Sequence, residues 1–100
     1  MCLTEETVAL VMHLLISGEI TRPVACRFVA PWVEGDLPTS GRAHSGAQYV
    51  HGFDLVGDGG SRVWHAPSLD DDHEYIFDRD EMVHRCEAWL AKSQLTQHQQ

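Results

Sequence analysis

The chain has 100 residues, with 15 acidic residues against 7 Lys and Arg, and a formal charge of −8. This length fits one domain, and an apolar fraction of 43% excludes disorder along the whole chain. The negative charge argues against nucleic acids and anionic membranes as partners, because phosphates bind through Lys and Arg. It favours solubility and encounter with a basic protein.

The sequence predicts a cytoplasmic protein without disulfides. The longest strongly apolar run, Val8 to Ile16, is too short to cross a bilayer, and the chain starts with acids where a secretory signal would carry bases. Cys2, Cys26 and Cys86 are odd in number and form no C-x-x-C pair. We expect Cys26 and Cys86 to be small apolar core residues.

Two helices are predicted in the first third of the chain. Thr4 is a capping residue for the first helix, which Gly18 ends. Thr21 caps the second helix, and Pro31 should kink or end it because proline removes a backbone hydrogen bond. Apolar residues recur at helical spacing in the second helix, at Val24, Phe28, Val29 and Trp32.

The middle of the chain predicts a short third helix and a ribbon. Ser45 is the expected N-cap residue of this third helix, although Gly46 and Gly52 each weaken a helix by up to about 1 kcal/mol relative to alanine. Gly57 to Ser61, "GDGGS", forms a loop. The segments "RVWHA" and "EYIF", on either side of "PSLDDD", are expected to pair as a small antiparallel ribbon.

The last helix has the clearest pattern. Asp78 followed by Glu81 is typical of a helix start. One apolar stripe follows, made of Met82, Val83, Cys86, Trp89 and Leu90. The predicted fold is mainly α, a bundle of three to four helices with a long polar loop or small β-ribbon before the last helix. Residues 1–92 form this single domain, and residues 93–100 form a polar tail.

The stretch "SLDDDHEYIFDRDE", Ser68–Glu81, holds seven carboxylates in fourteen residues, and we call it the acidic segment. It predicts a docking surface for a basic protein, with aromatic anchors inside a charged rim. Trp64 and the aromatic residues of "EYIF" could instead cover an open end of the core, and the sequence leaves both interpretations open. The predicted binding residues are Trp64, Asp70, Asp71, Asp72, Glu74, Tyr75, Asp78 and Asp80.

Reaction and cofactor motifs are absent from the sequence. His44 and His51 lie two helical turns apart, about 10.5 Å, which is too far to share one ion, and the H-x-x-x-H spacing does not occur. The glycine-rich "GDGGS" lacks the lysine of a phosphate loop. The sequence therefore predicts no catalytic residues, no metal site and no cofactor. A metal-dependent enzyme using His44, His51, His73 and His84 is kept as an alternative.

Several segments in order, "LLISGEITRPVA…FVAPWVEGD", "GFDL", "YIFDRDEM" and "AWL", resemble a group of small acidic bacterial proteins that are mostly uncharacterised. The resemblance spans roughly residues 10 to 90. By their size, acidity and helical character these proteins are similar to immunity proteins, which neutralise bacterial toxins. The resemblance implies a non-catalytic inhibitor of a basic partner such as a toxin. The other alternative is a structural or accessory subunit that forms a homodimer through Val8 to Ile16.

Overall fold

A computed structural model describes residues 1–93. Within these residues the chain is compact and mainly helical, with four helices and one small antiparallel sheet before the last helix, as predicted. In chain order the elements are α1 (Glu5–Ser17), α2 (Arg22–Val33), α3 (Ala43–Gly52), β1 (Leu55–Gly57), β2 (Val63–His65) and α4 (Arg79–Lys92).

Three helices begin at the residues that the sequence indicates. The side chains of Thr4, Thr21 and Asp78 each accept a hydrogen bond from the backbone N–H three residues later, at 3.3, 3.3 and 2.8 Å. Such bonds satisfy donors that a helix start leaves unpaired. Gly18 ends α1 with φ of 81°, a left-handed conformation that glycine adopts without a Cβ penalty.

The predicted start of α3 at Ser45 is wrong. The helix begins at Ala43, and Arg42 is the N-cap residue, without a side-chain cap. The Ser45 hydroxyl instead donates to the Arg42 carbonyl, at 2.9 Å, and accepts a hydrogen bond from Trp89 Nε1, at 3.1 Å. A tertiary contact with α4 therefore uses the polar group that the sequence suggested as a cap.

Helix α2 ends two residues after Pro31, at Val33. Its predicted apolar stripe divides between two environments. Val29 and Trp32 are buried in the core, whereas Val24 and Phe28 remain substantially exposed. The helix thus contributes one narrow face to the core.

The strand pairing differs from the predicted ribbon. Strand β2, within "RVWHA", pairs with β1 rather than with "EYIF", and Val56 lies opposite Trp64. "EYIF" contributes only an isolated antiparallel bridge between Tyr75 and Val56. The short glycine-containing connection after Gly57 contributes to this choice, because closing a short hairpin loop costs somewhat less entropy than closing the longer loop through "PSLDDD".

One hydrophobic core joins the four helices. Helix α1 contributes most of its apolar run to it, and only Leu10 and His13 of the run Val8 to Ile16 are exposed. Trp32 and Trp89 are both buried there, as the sequence predicts. None of the helices within residues 1–93 has the length and apolar character needed to cross a membrane.

The predicted tail begins inside the fold. Ser93, its first residue, is fully buried and is the C-cap residue of α4. Its hydroxyl donates to the carbonyl of Leu90, at 3.0 Å. The rest of the predicted tail, residues 94–100, lies outside the described residues.

Candidate functional site

The acidic segment is fixed to the start of α2. The Asp71 carboxylate accepts hydrogen bonds from the backbone N–H of Arg22, at 3.3 Å, and from the Tyr75 hydroxyl, at 2.6 Å. The guanidinium carbon of Arg22 lies 4.3 Å from the centre of the Tyr75 ring. Burial, followed by the contact with Asp71, raises the pKa of Tyr75, so this phenol remains a donor.

Arg22 is the buried centre of this attachment, with only 7% of its surface exposed. Its guanidinium donates to the backbone carbonyl of Phe77, at 2.6 Å, and to that of Phe53, at 3.3 Å. Burial lowers its pKa, an effect that Asp71 opposes. One cation therefore connects α2, the end of α3 and the acidic segment.

Three further hydrogen bonds hold the loop that precedes Tyr75. The Thr21 hydroxyl donates to the carbonyl of Leu69, at 2.5 Å. Asp70 accepts hydrogen bonds from the Ser68 hydroxyl and from the backbone N–H of Asp72, at 3.2 and 3.1 Å. Of the predicted binding residues, Asp70 and Asp71 thus stabilise the loop itself, and Asp78 caps α4.

The remaining acids of the predicted surface face solvent. Asp72, Glu74 and Asp80 are exposed. Within residues 1–93, no hydrogen bond or ion pair occupies the carboxylates of these three residues. The acidic segment therefore contains two kinds of carboxylate, those that build the fold and those that leave negative charge available on its surface.

Trp64 is 45% exposed, so it does not close the core. Trp64 on β2 pairs with Val56 on β1, and Tyr75 forms an isolated bridge with Val56 from the other edge of β1. Ile76 also remains about half exposed, and its side chain covers Gly57. Ile76 therefore lies in the acidic segment on the same side as Glu74, whereas Trp64 shares the opposite face of the sheet with Val56 and Tyr75.

A second group of candidate functional side chains lies at β2. Cys26 from α2, His51 from the end of α3 and His65 from β2 bring one sulfur and two ring nitrogens within 4.8 Å of one another. The Cys26 sulfur lies 3.6 Å from His65 Nδ1. Asp54 and Glu34 place carboxylate oxygens 2.6 Å from His65 Nδ1 and 2.5 Å from His51 Nε2. We call these five residues the thiol–imidazole cluster.

The cluster is poorly arranged for a cysteine nucleophile. Burial, followed by the negative charge and hydrogen bond of Asp54, raises the pKa of Cys26 to about 12, so the sulfur is a neutral thiol near neutral pH. Cys26 and Asp54 also contact the same nitrogen of His65. In a nucleophilic triad the histidine uses one nitrogen for each partner.

The histidines suggested by the sequence are not brought together. His44 and His84 are exposed on α3 and α4, and His73 contacts Ser68 and Asp70. Within the described part of the chain, only His51 of the four joins a group of three ligand-type side chains. The sequence reasoning missed Cys26 and His65, because neither lies at a recognisable metal spacing from His51.

Comparisons of this chain with protein-family models, with curated proteins and with solved structures give no match.

Proposed function

We propose that this chain is a non-catalytic, cytoplasmic binding protein that docks its acidic face on a basic protein partner. The proposed docking surface combines the free carboxylates of Asp72, Glu74 and Asp80 with the exposed side chains of Trp64 and Ile76. In this proposal the protein inhibits or shelters its partner, as an immunity protein does for a toxin.

The main support is that the charged surface is held on the folded body. Arg22, Asp71 and Thr21 attach the acidic segment to α2 while the outer acids remain exposed. A surface that is already ordered loses less conformational entropy on binding than a flexible loop would. Order and free charge together favour a docking surface over a solvated loop.

The charge and the exposed aromatic residue have different roles in the proposed complex. The net charge of −8 steers a basic partner during diffusion, and the effect weakens as salt shortens the Debye length to about 8 Å at physiological ionic strength. Trp64 supplies apolar area that is desolvated at the centre of the contact. Toxins that cut nucleic acids carry basic clefts, which makes them a fitting class of partner.

The charge contribution is tested with Asp72→Asn combined with Glu74→Gln. These residues are chosen because neither side chain supports the fold through a hydrogen bond or ion pair within residues 1–93. The candidate partner for this test is the protein encoded by the gene adjacent to that of this chain. With this protein we expect about 10-fold slower association at low salt and an unchanged melting temperature. Stopped-flow fluorescence over a salt series measures the rate.

The matched control removes two exposed acids elsewhere, with Glu6→Gln and Glu87→Gln. This control has the same total charge as the test variant. If docking is local to the acidic segment, the control should slow association clearly less than the test variant does. Equal rates for the two variants would reject the acidic segment as the contact surface. Failure of the neighbouring gene's product to bind the wild-type chain would reject it as the partner.

Trp64→Ala tests the proposed anchor. We expect dissociation from the same partner to accelerate about 5-fold or more, because truncating a central aromatic residue costs at least about 1 kcal/mol. Phe28→Ala is the control, since Phe28 has a similar exposure on α2. Surface plasmon resonance measures both dissociation rates. An unchanged rate for Trp64→Ala would place the contact elsewhere.

A further inference from the structure

The thiol–imidazole cluster carries an inference that does not depend on the docking surface. We propose that Cys26, His51 and His65 bind a divalent transition metal, with zinc as the best-fitting ion. The three side chains come from α2, α3 and β2, which meet only through the tertiary fold.

The distances between the three ligand atoms are close to those found around a bound zinc ion. In a four-coordinate zinc site, bonds of about 2.3 Å to sulfur and 2.1 Å to nitrogen place neighbouring ligand atoms about 3.5 Å apart. Cys26 Sγ and His65 Nδ1 are already 3.6 Å apart, and all three ligand atoms lie within 4.8 Å of one another. Small side-chain rotations, without any change of secondary structure, would complete the site.

The carboxylate at His51 provides a further indication. Metal-bound histidines commonly donate their second ring N–H to a carboxylate, which fixes the tautomer and the ring orientation. Glu34 occupies this position at His51, on Nε2, and a ring that donates there keeps a lone pair on Nδ1, which is the form that binds a metal. Asp54 instead contacts His65 at Nδ1, the nitrogen that also faces the Cys26 sulfur, so an ion bound at this nitrogen would replace the contact with Asp54.

The location of the side chains also fits a metal site. Asp54 is buried, and a buried carboxylate requires compensating positive charge or hydrogen bonds. Cys26 is buried but lies outside the main hydrophobic cluster, in contrast to Cys86. The His65 side chain is 43% exposed, so an ion can reach the site from solvent.

The donor set determines which ion is favoured. A thiolate with two imidazoles suits zinc and other borderline or soft ions, whereas magnesium and calcium select oxygen ligands. When the sulfur–metal bond forms, the Cys26 thiol releases its proton to solvent. The bound ion would join β2 to α2 and α3, and it would thereby fix the strand that carries Trp64.

The experiment is a titration of metal-free, reduced protein with Co²⁺ and with Zn²⁺. We expect one equivalent of Co²⁺ to produce a thiolate-to-cobalt charge-transfer band, together with the strong visible bands of four-coordinate cobalt. One equivalent of Zn²⁺ should remove these bands and raise the melting temperature by several degrees, because an ion that binds only the native state stabilises it.

Cys26→Ser should abolish the charge-transfer band, and His65→Ala should weaken Co²⁺ binding by about 100-fold or more. The matched controls are Cys2→Ser and His44→Ala, both at exposed positions, and these should bind as the wild type does. Circular dichroism without metal checks that each variant is folded. If Cys26→Ser does not fold, His65→Ala decides, because its side chain is partly exposed.

Absence of the charge-transfer band in the wild-type protein would overturn the proposal. So would a band that persists in Cys26→Ser, or undiminished affinity in a folded His65→Ala. Binding without the charge-transfer band would place the ion away from the Cys26 sulfur and would likewise reject the site.

Discussion

Replacing Arg22 with methionine is expected to lower the free energy of unfolding by about 3 kcal/mol. The Arg22 guanidinium donates to the backbone carbonyls of Phe53 and Phe77. Hydrogen bonds from charged donors contribute about 1.5–3 kcal/mol each. Methionine fills similar volume without any donor, so both carbonyls would lose this partner. For a domain of this size the melting temperature should fall by about 10–20 °C.

Two controls separate this role from general effects of charge. Arg27→Met removes an exposed arginine from the same helix and should change stability by less than about 0.5 kcal/mol. Arg22→Lys keeps the charge but cannot reproduce the fork of donors, so an intermediate loss is expected. Urea unfolding measures all three variants, and equal losses for Arg22→Met and Arg27→Met would contradict the assignment.

The same substitution should loosen the acidic segment. Arg22 contacts the Tyr75 ring and the Phe77 carbonyl, and its own backbone N–H binds Asp71. In Arg22→Met, hydrogen exchange at the amides of residues 69–77 should therefore accelerate more than exchange in α1. Uniform acceleration across the molecule would indicate a purely global effect on stability.

Gly46→Ala is expected to destabilise the protein by about 2 kcal/mol, although alanine favours a helix by about 1 kcal/mol over glycine. An alanine Cβ at this position would lie 2.6 Å from Val8 Cγ1 and 2.7 Å from Trp89 Cε2. Hydrogen bonds from Trp89 Nε1 to Arg42 and Ser45 restrict movement of the indole. The added methyl therefore overfills the contact of α3 with α1 and α4.

Gly52→Ala is the matched control in the same helix. Its Cβ would meet only Leu55 Cδ1, at 3.8 Å, which is an ordinary van der Waals distance. We expect no loss, or a gain of up to about 1 kcal/mol, because alanine restricts the unfolded chain. Thermal and urea unfolding should thus show a loss of stability for Gly46→Ala and none for Gly52→Ala. If Gly46→Ala proves more stable than the wild type, the prediction is wrong and the close contact between the helices can relax.

The division of the acidic segment into structural and free carboxylates affects how binding data should be interpreted. Removing Asp71 or Asp78 would disturb the loop attachment or the α4 cap as well as any contact with a partner. Substitutions at Asp72 and Glu74 avoid this ambiguity. Substitutions at these outer positions separate a loss of binding from a loss of folding.

The sequence alone determined the features that depend on neighbours a few residues apart. The caps at Thr4, Thr21 and Asp78, the end of α1 at Gly18 and the buried stripe of α4 all follow from hydrogen bonds or periodicity within a few turns. Such short-range interactions are predictable from a single sequence where no tertiary contact competes for the same groups, as one does at Ser45.

Tertiary structure alone decided the features that depend on distant partners. The pairing of β1 with β2, the need for glycine at position 46, and the buried position of Arg22 each depend on how separate elements meet. Cys26, His51 and His65 form one cluster only because α2, α3 and β2 converge there. Their spacing along the chain reflects loop and helix lengths rather than any local geometry, so no sequence pattern could reveal it.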